Sequence, residues 1–368
     1  MEFTLKNDEK AILKLRGLYS KYGYRQFKMS KFEEYDLYTK NKDFLVSDSI
    51  ITFNDTDGRL MALKPDVTLS IIKDSTDVDG SVKKVYYNEN VYRVSKSTQS
   101  FKEIMQTGLE CIGDIDSYIV CETLYLAAKS LSLISDDFVL DISNMDIISA
   151  AMDNLNLDGE GERKILKCIS EKNIYGIKTV CSQCGADGKD TEMLVKIVSS
   201  YGDMRKVIKS LENLSFEKIN PYIKELCEIA DFFEGTNFGG KIRFDFSLVS
   251  DTNYYTSVVF KGFINSIPSS ILSGGRYDGL MKRMNKNFGA IGFAVYLDLL
   301  ERLSDDDGQY DVDAVVLYDK NVSSALLKKC IKELTDKNLS VSAQKIKPDN
   351  LKYKKLYKIY KGGLEKIG

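Results

Sequence analysis

Five polar residues within one stretch, Asp66, Thr68, Arg93, Gln106 and Glu110, stand where a site for a small molecule would need polar groups; all lie between Met61 and Gly113. Gln106, Gly108 and Glu110 fall two apart, so on a strand they share one face, and the glycine between them leaves room for something to approach closely. One amide and one carboxylate flanking a gap suit a polar, amine-bearing ligand. The same spacing also describes a hairpin whose polar face meets only water, and periodicity alone leaves both readings open.

Other chemistries are closed to this chain. It has no histidine in 368 residues, which excludes Ser-His-Asp and Cys-His catalysis and histidine general acid-base work. Cys181 and Cys184 form the single CxxC. Two thiolates do not fill a tetrahedral zinc site and no histidine can complete one, so the pair reads as incidental, and neither a metal nor a cofactor is expected. The 7 cysteines are odd in number and irregularly spaced, which describes reduced thiols rather than a disulfide framework. With 52 Lys and Arg against 54 Asp and Glu, the net charge of −2 provides no global basic field for nucleic acid. No apolar run approaches the ~20 residues needed to cross a bilayer. The start, MEFTLKNDEK, lacks the apolar core of a signal peptide, so a cytoplasmic location without membrane contact is expected.

The polar stretch needs elements to position it. Leu60 to Thr68 and Leu69 to Lys73 read as extended, interrupted at Pro65, which removes a donor and restricts Lys64. Val82 to Val94 is rich in Val and Tyr, a strand signature; Lys96 to Ser100 is a polar break, and a second strand follows over Phe101 to Gly113. Upstream, 7–22 has helical spacing ended by Gly23, and Phe44 to Asp57 reads as short strands closed by the Asp57-Gly58 turn. Downstream come a helix after Asp114, a strand from Phe138 to Ile142, and helical spacing through 144–235. The alternating, aromatic-rich run from Lys241 resumes the sheet. Residues 289–303 run into a helix, on which Arg302 lies about one turn, roughly 4.5 Å by rise, beyond Leu299. The last part reads strand (Asp313 to Tyr318), helix (Ser323 to Asp336), strand (Leu339 to Ala343), then a basic, solvated end over 345–366.

The residues in this order resemble the class II aminoacyl-tRNA synthetases, and most closely the histidyl type. Leu63-Lys64-Pro65-Asp66-Val67-Thr68 is similar to that family's LRPE-x-T, Arg93 to its motif 2 arginine, and Gln106 to Glu110 to its Q-x-G-x-E. Ser250 to Ser257 is similar to RGLDYYTG, keeping Tyr254 and Tyr255, and Gly274 to Leu280 matches GGRYDGL, including Tyr277. The resemblance implies that Asp66, Thr68, Arg93, Gln106, Glu110, Tyr254, Tyr255 and Tyr277 bind histidine. Gly23-Tyr24 and Glu33 resemble motif 1, which builds the dimer interface in that family, although Ser30 stands near its missing proline. The departures fall on the groups that handle ATP. Ser250 replaces the arginine that helps to activate histidine, Leu299 the arginine that stacks on ATP, and Tyr296 a motif 3 glycine; Val94-Ser95-Lys96 stands where an ERP-type segment would be. Adenylate formation needs fixed cations at the developing charge, and lysine does not replace a bidentate, stacking arginine.

A histidine-binding fold stripped of those cations resembles the histidyl-tRNA synthetase-like regulatory subunits of ATP phosphoribosyltransferase. What this implies is an α+β protein without catalysis of its own. It would have a class II synthetase-like antiparallel sheet flanked by helices (1–143 and 236–305), a helical insertion (144–235), and a short α/β segment (306–368) truncated relative to an anticodon-binding domain. The implied partner is a short-form catalytic subunit, joined by a dimer of this chain in a hetero-oligomer, a hetero-octamer by resemblance, with L-histidine as effector of the first step of histidine biosynthesis. tRNA is not expected as a partner. The alternatives are a divergent histidyl-tRNA synthetase and a synthetase-derived tRNA-binding or stress-sensing module.

Overall fold

A ladder with 13 residues in each strand joins Val82–Val94 to Phe101–Gly113, where the Val- and Tyr-rich run and its partner were expected. It is the backbone of the molecule, known here from a computed structural model that describes residues 5–41, 50–75, 80–94, 100–249, 255–302, 310–360 and 363–368. The chain divides into two compact units, Met1–Arg302 and Leu303–Gly368.

In the first unit, helix α1 (Asn7–Lys21) stops before Gly23, whose φ of 83° only glycine adopts without strain. Short strands β1 (Arg25–Gln26) and β2 (Phe32–Glu34) lead to helix α2 (Tyr35–Thr39). Strand β3 (Thr52–Asn54) turns back into β4 (Leu60–Leu63) through Gly58, while Asp55 Oδ1 accepts from the Asp57 and Arg59 amides, each at 2.9 Å. Of the short strands expected over Phe44 to Asp57, residues 42–49 lie outside the described residues.

The extended reading of Leu69 to Lys73 is corrected: Thr68–Lys73 is helix α3. Its β-branched residues look strand-like, but Asp66 Oδ1 accepts from Leu69 N at 2.9 Å, the side-chain capping that starts a helix. Strands β5 (Val82–Val94) and β6 (Phe101–Gly113) follow, then α4 (Ser117–Ile134), capped by Asp116, and β7 (Phe138–Asn144). Helices α5 (Met145–Met152), α6 (Gly159–Ser170), α7 (Ile174–Gln183) and α8 (Gly188–Val198) come next. Strand β8 (Tyr201–Asp203), not anticipated among the helices, precedes α9 (Met204–Glu212) and α10 (Asn220–Phe233). The single alternating run read from Lys241 is two strands, β9 (Ile242–Asp245) and β10 (Val258–Ile264), followed by β11 (Leu272–Arg276), α11 (Asp278–Arg283) and β12 (Gly289–Tyr296). The helix expected at the end of this unit is a tighter 3-10 segment, Leu297–Arg302. With about 2.0 Å of rise per residue it carries Arg302 roughly 6 Å beyond Leu299, farther than an α-helix would.

Nine strands form one sheet in the order β1-β5-β6-β12-β11-β10-β7-β9-β8. It is antiparallel as expected from β5 across to β7, but β1 joins β5 and β9 joins β7 in parallel, so the sheet as a whole is mixed. Helices α1 and α4 pack on one face, with Tyr19 edge-on to Phe293 at 6.1 Å between ring centres. A separate three-stranded sheet, β2-β4-β3, adjoins a buried cluster in which Ala62, Val67, Leu69, Ile71 and Ile72 pack with Val85, Tyr87, Ile112, Tyr277 and Leu280. That cluster fixes α3 and α11 against the other face of the main sheet, where Glu110 and Ile112 point.

The second unit contains β13 (Val312–Leu317), α12 (Ser324–Thr335), β14 (Val341–Gln344), β15 (Tyr353–Tyr360) and β16 (Gly363–Lys366). The expectation of a solvated basic end over 345–366 is overturned, because β15 lies parallel to β13 at the centre of this sheet and buries Leu356 and Ile359.

Candidate functional site

Strand β6 presents Gln106, Gly108 and Glu110 on one face, and both polar side chains are buried. Glu110 is the focus. Its Oε1 accepts from Thr68 Oγ1 at 2.9 Å and its Oε2 from the Tyr277 hydroxyl, so α3 and the start of α11 converge on one carboxylate. Burial pushes the Glu110 pKa up to about 8 against the pull of the two hydroxyl donors, with Asp66 adding to the rise. The floor beneath it must be glycine: a Cβ on Gly292, the cross-strand partner of Glu110, would come within 1.7 Å of Oε2. Gly108 is constrained likewise, since a Cβ there would meet the Tyr87 hydroxyl at 2.5 Å.

Asp66 is buried beside this group, and burial raises its pKa while the Arg93 guanidinium and the Leu69 amide oppose the rise. One of its oxygens is committed to capping α3. Arg93 Nε donates to the Pro65 carbonyl at 2.9 Å, which ties β5 to the turn before α3. Arg93 is also hydrogen-bonded to Tyr296, whose pKa burial raises. Gln106 is paired in register with Tyr296, and its Nε2 has no hydrogen-bond partner among the described residues. A buried amide donor left open is uncommon enough to require an explanation. Beyond Gln106, Lys64 and Glu89 form an ion pair at 2.6 Å that closes the neighbouring edge.

The structure therefore brings Asp66, Thr68, Arg93, Gln106, Glu110 and Tyr277 together. Tyr255 joins them: its ring lies where a Cβ on Gly275 would approach within 2.5 Å, and it hydrogen-bonds to Ser273. Tyr254 and Ser250 lie outside the described residues. Leu299 is in the 3-10 segment after β12. Tyr87, Gly292 and Ser273 were not anticipated. A signal for Tyr87 existed, because a large residue opposite a glycine in a register-fixed pair fills the space above it, but the register had to be known first. The arrangement combines two buried carboxylates, one guanidinium, an open amide donor and aromatic walls. It suits a compact ligand carrying both a cationic amine and hydrogen-bonding polar atoms.

Known proteins share this organisation. The histidyl-tRNA synthetase family profile matches residues 3–300. An ATP phosphoribosyltransferase regulatory subunit of Oceanobacillus iheyensis is 26% identical over 352 residues, covering 92% of this chain and 86% of that protein. Among solved structures, an ATP phosphoribosyltransferase regulatory subunit/histidyl-tRNA synthetase from Bacillus halodurans matches with a TM-score of 0.73 at 22% identity, covering 92% of this chain and 88% of that one. A chain of the ATP phosphoribosyl transferase complex from Thermotoga maritima matches with a TM-score of 0.62 at 17% identity, covering 79% and 97%. The two structures show that the fold is shared.

Proposed function

The chain belongs to the histidyl-tRNA synthetase family, and within it we propose that it serves as the regulatory subunit of ATP phosphoribosyltransferase, as its relative in Oceanobacillus iheyensis is named. In this reading it performs no aminoacylation. It activates a short-form catalytic subunit, and L-histidine bound to this chain feeds back on the first step of histidine biosynthesis. One observation carries the reading: the groups suited to a compact amino acid are gathered around Glu110, whereas Leu299 and Ser250 stand where the synthetase family's resemblance calls for ATP-handling arginines. Fixed cations are what phosphoryl displacement requires, so a pocket that keeps its carboxylates and lacks them is built to bind rather than to adenylate.

Histidine would place its cationic amine among Glu110, Thr68 and Gln106, and its ring against Asp66, Tyr277 and Tyr255, with Arg93 near its carboxylate. Regulation then follows from differential binding: histidine must favour one state of the complex, and a coupling of about 1–3 kcal/mol is typical. Residues 144–235 serve in this reading as an insertion between the two parts of the sheet, and the chain works as a dimer within a hetero-oligomer in the cytoplasm. The deciding experiment is the initial rate of phosphoribosyl transfer to ATP by a short-form catalytic subunit, with and without this chain and histidine. Stimulation that histidine reverses is the expected result. No stimulation, together with histidine-dependent exchange of pyrophosphate into ATP by this chain alone, would replace the reading with an active synthetase.

A further inference from the structure

Where the helical segment meets the sheet, one carboxylate bridges elements far apart in sequence. Glu225 of α10 accepts through Oε2 from Asn144 Nδ2 at 2.8 Å and from Ser257 Oγ at 3.3 Å. The other end of the Asn144 side chain caps α5, accepting from the Asp146 and Ile147 amides at 3.0 and 3.3 Å. Ser257 is also held by the Asp146 carboxylate, which hydrogen-bonds to its side chain, and by Met145 N, which donates to its carbonyl at 2.8 Å. These restraints have work to do, because Ser257 has a φ of 75°, a left-handed conformation costly for any residue with a side chain. The neighbouring Thr256 hydroxyl has no partner among the described residues and so does not fix the turn. Arg276 is the cation facing Glu225 and Asp146, while its Nε pairs with Asp278 at 2.8 Å.

The turn matters because of what precedes it. Thr256 N donates to the Arg276 carbonyl at 2.8 Å, and Tyr255 lies over Gly275 within the candidate pocket. We propose that Glu225 is a positioning residue: by holding Asn144 and Ser257 it sets the strained turn that places Tyr255, and thereby ties α10 to the affinity of the pocket. The proposal rests on the histidine reading of that pocket.

The test uses the full chain carrying Glu225→Ala or Glu225→Gln, with two independent readouts. Amide exchange at Thr256 and Met145, measured without ligand, reports the turn; calorimetric titration with L-histidine reports the pocket. For Glu225→Ala, exchange at both amides is expected to accelerate about tenfold and the histidine Kd to rise about tenfold. Glu225→Gln keeps an acceptor and is expected to recover most of both. Arg205→Ala, which cuts ion pairs to Asp231 and Glu234 at the end of α10 and beyond it, is expected to change neither. Wild-type exchange rates in Glu225→Ala, or faster exchange with an unchanged Kd, would overturn the proposal. Failure of the wild-type chain to bind histidine would instead refute the reading of the pocket, and the exchange rates would then decide whether Glu225 holds the turn.

Discussion

Glu110 and Glu122 are buried carboxylates on opposite faces of the same sheet, and their surroundings differ in one respect. Glu122, on α4, has a cation: Lys84 Nζ lies 2.5 Å from Oε1, and the Tyr24 and Tyr118 hydroxyls donate at 3.3 and 3.1 Å. Tyr24 in turn contacts Cys111 Sγ at 3.0 Å, the residue next to Glu110 on β6 but facing the other way. Glu110 has hydroxyl donors and, among the described residues, no ion pair, and an open amide lies on the same face at Gln106. The first carboxylate is a finished unit of structure. The second has the environment of a group that awaits a cation from outside, because a buried charge is costly until it is paired.

The contrast can be broken most forcefully from the structural side. Glu122→Ala strands the Lys84 ammonium and is expected to destabilise the fold by about 3 kcal/mol, read from denaturant midpoints, while histidine affinity is untouched. Glu110→Gln should do the reverse. Its amide still satisfies Thr68 and Tyr277, so stability holds or rises, while histidine binding weakens by about 1.5–3 kcal/mol in calorimetry. An unchanged affinity would remove Glu110 from the site.

A smaller effect concerns protons. Glu110, held at about 8, is mostly protonated at neutral pH in the empty pocket, and a bound cation would force it to ionise. Histidine binding at pH 7 is then expected to release close to one proton, and affinity to rise about fivefold between pH 7 and pH 8. The same shift acts on folding. A carboxyl whose folded pKa exceeds its unfolded value contributes stability that is full below about pH 4 and is lost as pH rises through about 8. Binding heats in buffers of different ionisation enthalpy measure the release, and Glu110→Gln should abolish it. The smallest expected change is Gln106→Leu: the lost amide donor has no partner among the described residues, so stability is kept while histidine binding weakens by about 1 kcal/mol.

The central hairpin could be read from the sequence because one face alternates and the turn chemistry between its strands is polar, and with it came the shared face of Gln106, Gly108 and Glu110. Helix α3 could not. Its Thr and Ile content argues for a strand, and the capping bond from Leu69 N to Asp66 that decides the matter depends on a contact between a side chain and a backbone amide. Strand β15 was missed for a different reason: its three lysines extend a basic run over 345–366, whereas only Leu356 and Ile359 are buried along it. Tyr87 and Gly292 were invisible for a third, since their roles exist only across strands whose register no local pattern specifies.

Gly292 has a physiological consequence. Its missing side chain leaves the space that the Glu110 carboxylate occupies, so Gly292→Ala would evict the carboxylate and press on the Leu109 carbonyl, 2.4 Å from the added Cβ, without deleting a polar group. If the proposed pocket is the one that senses the end product, a cell carrying that single methyl would lose its brake and keep its engine.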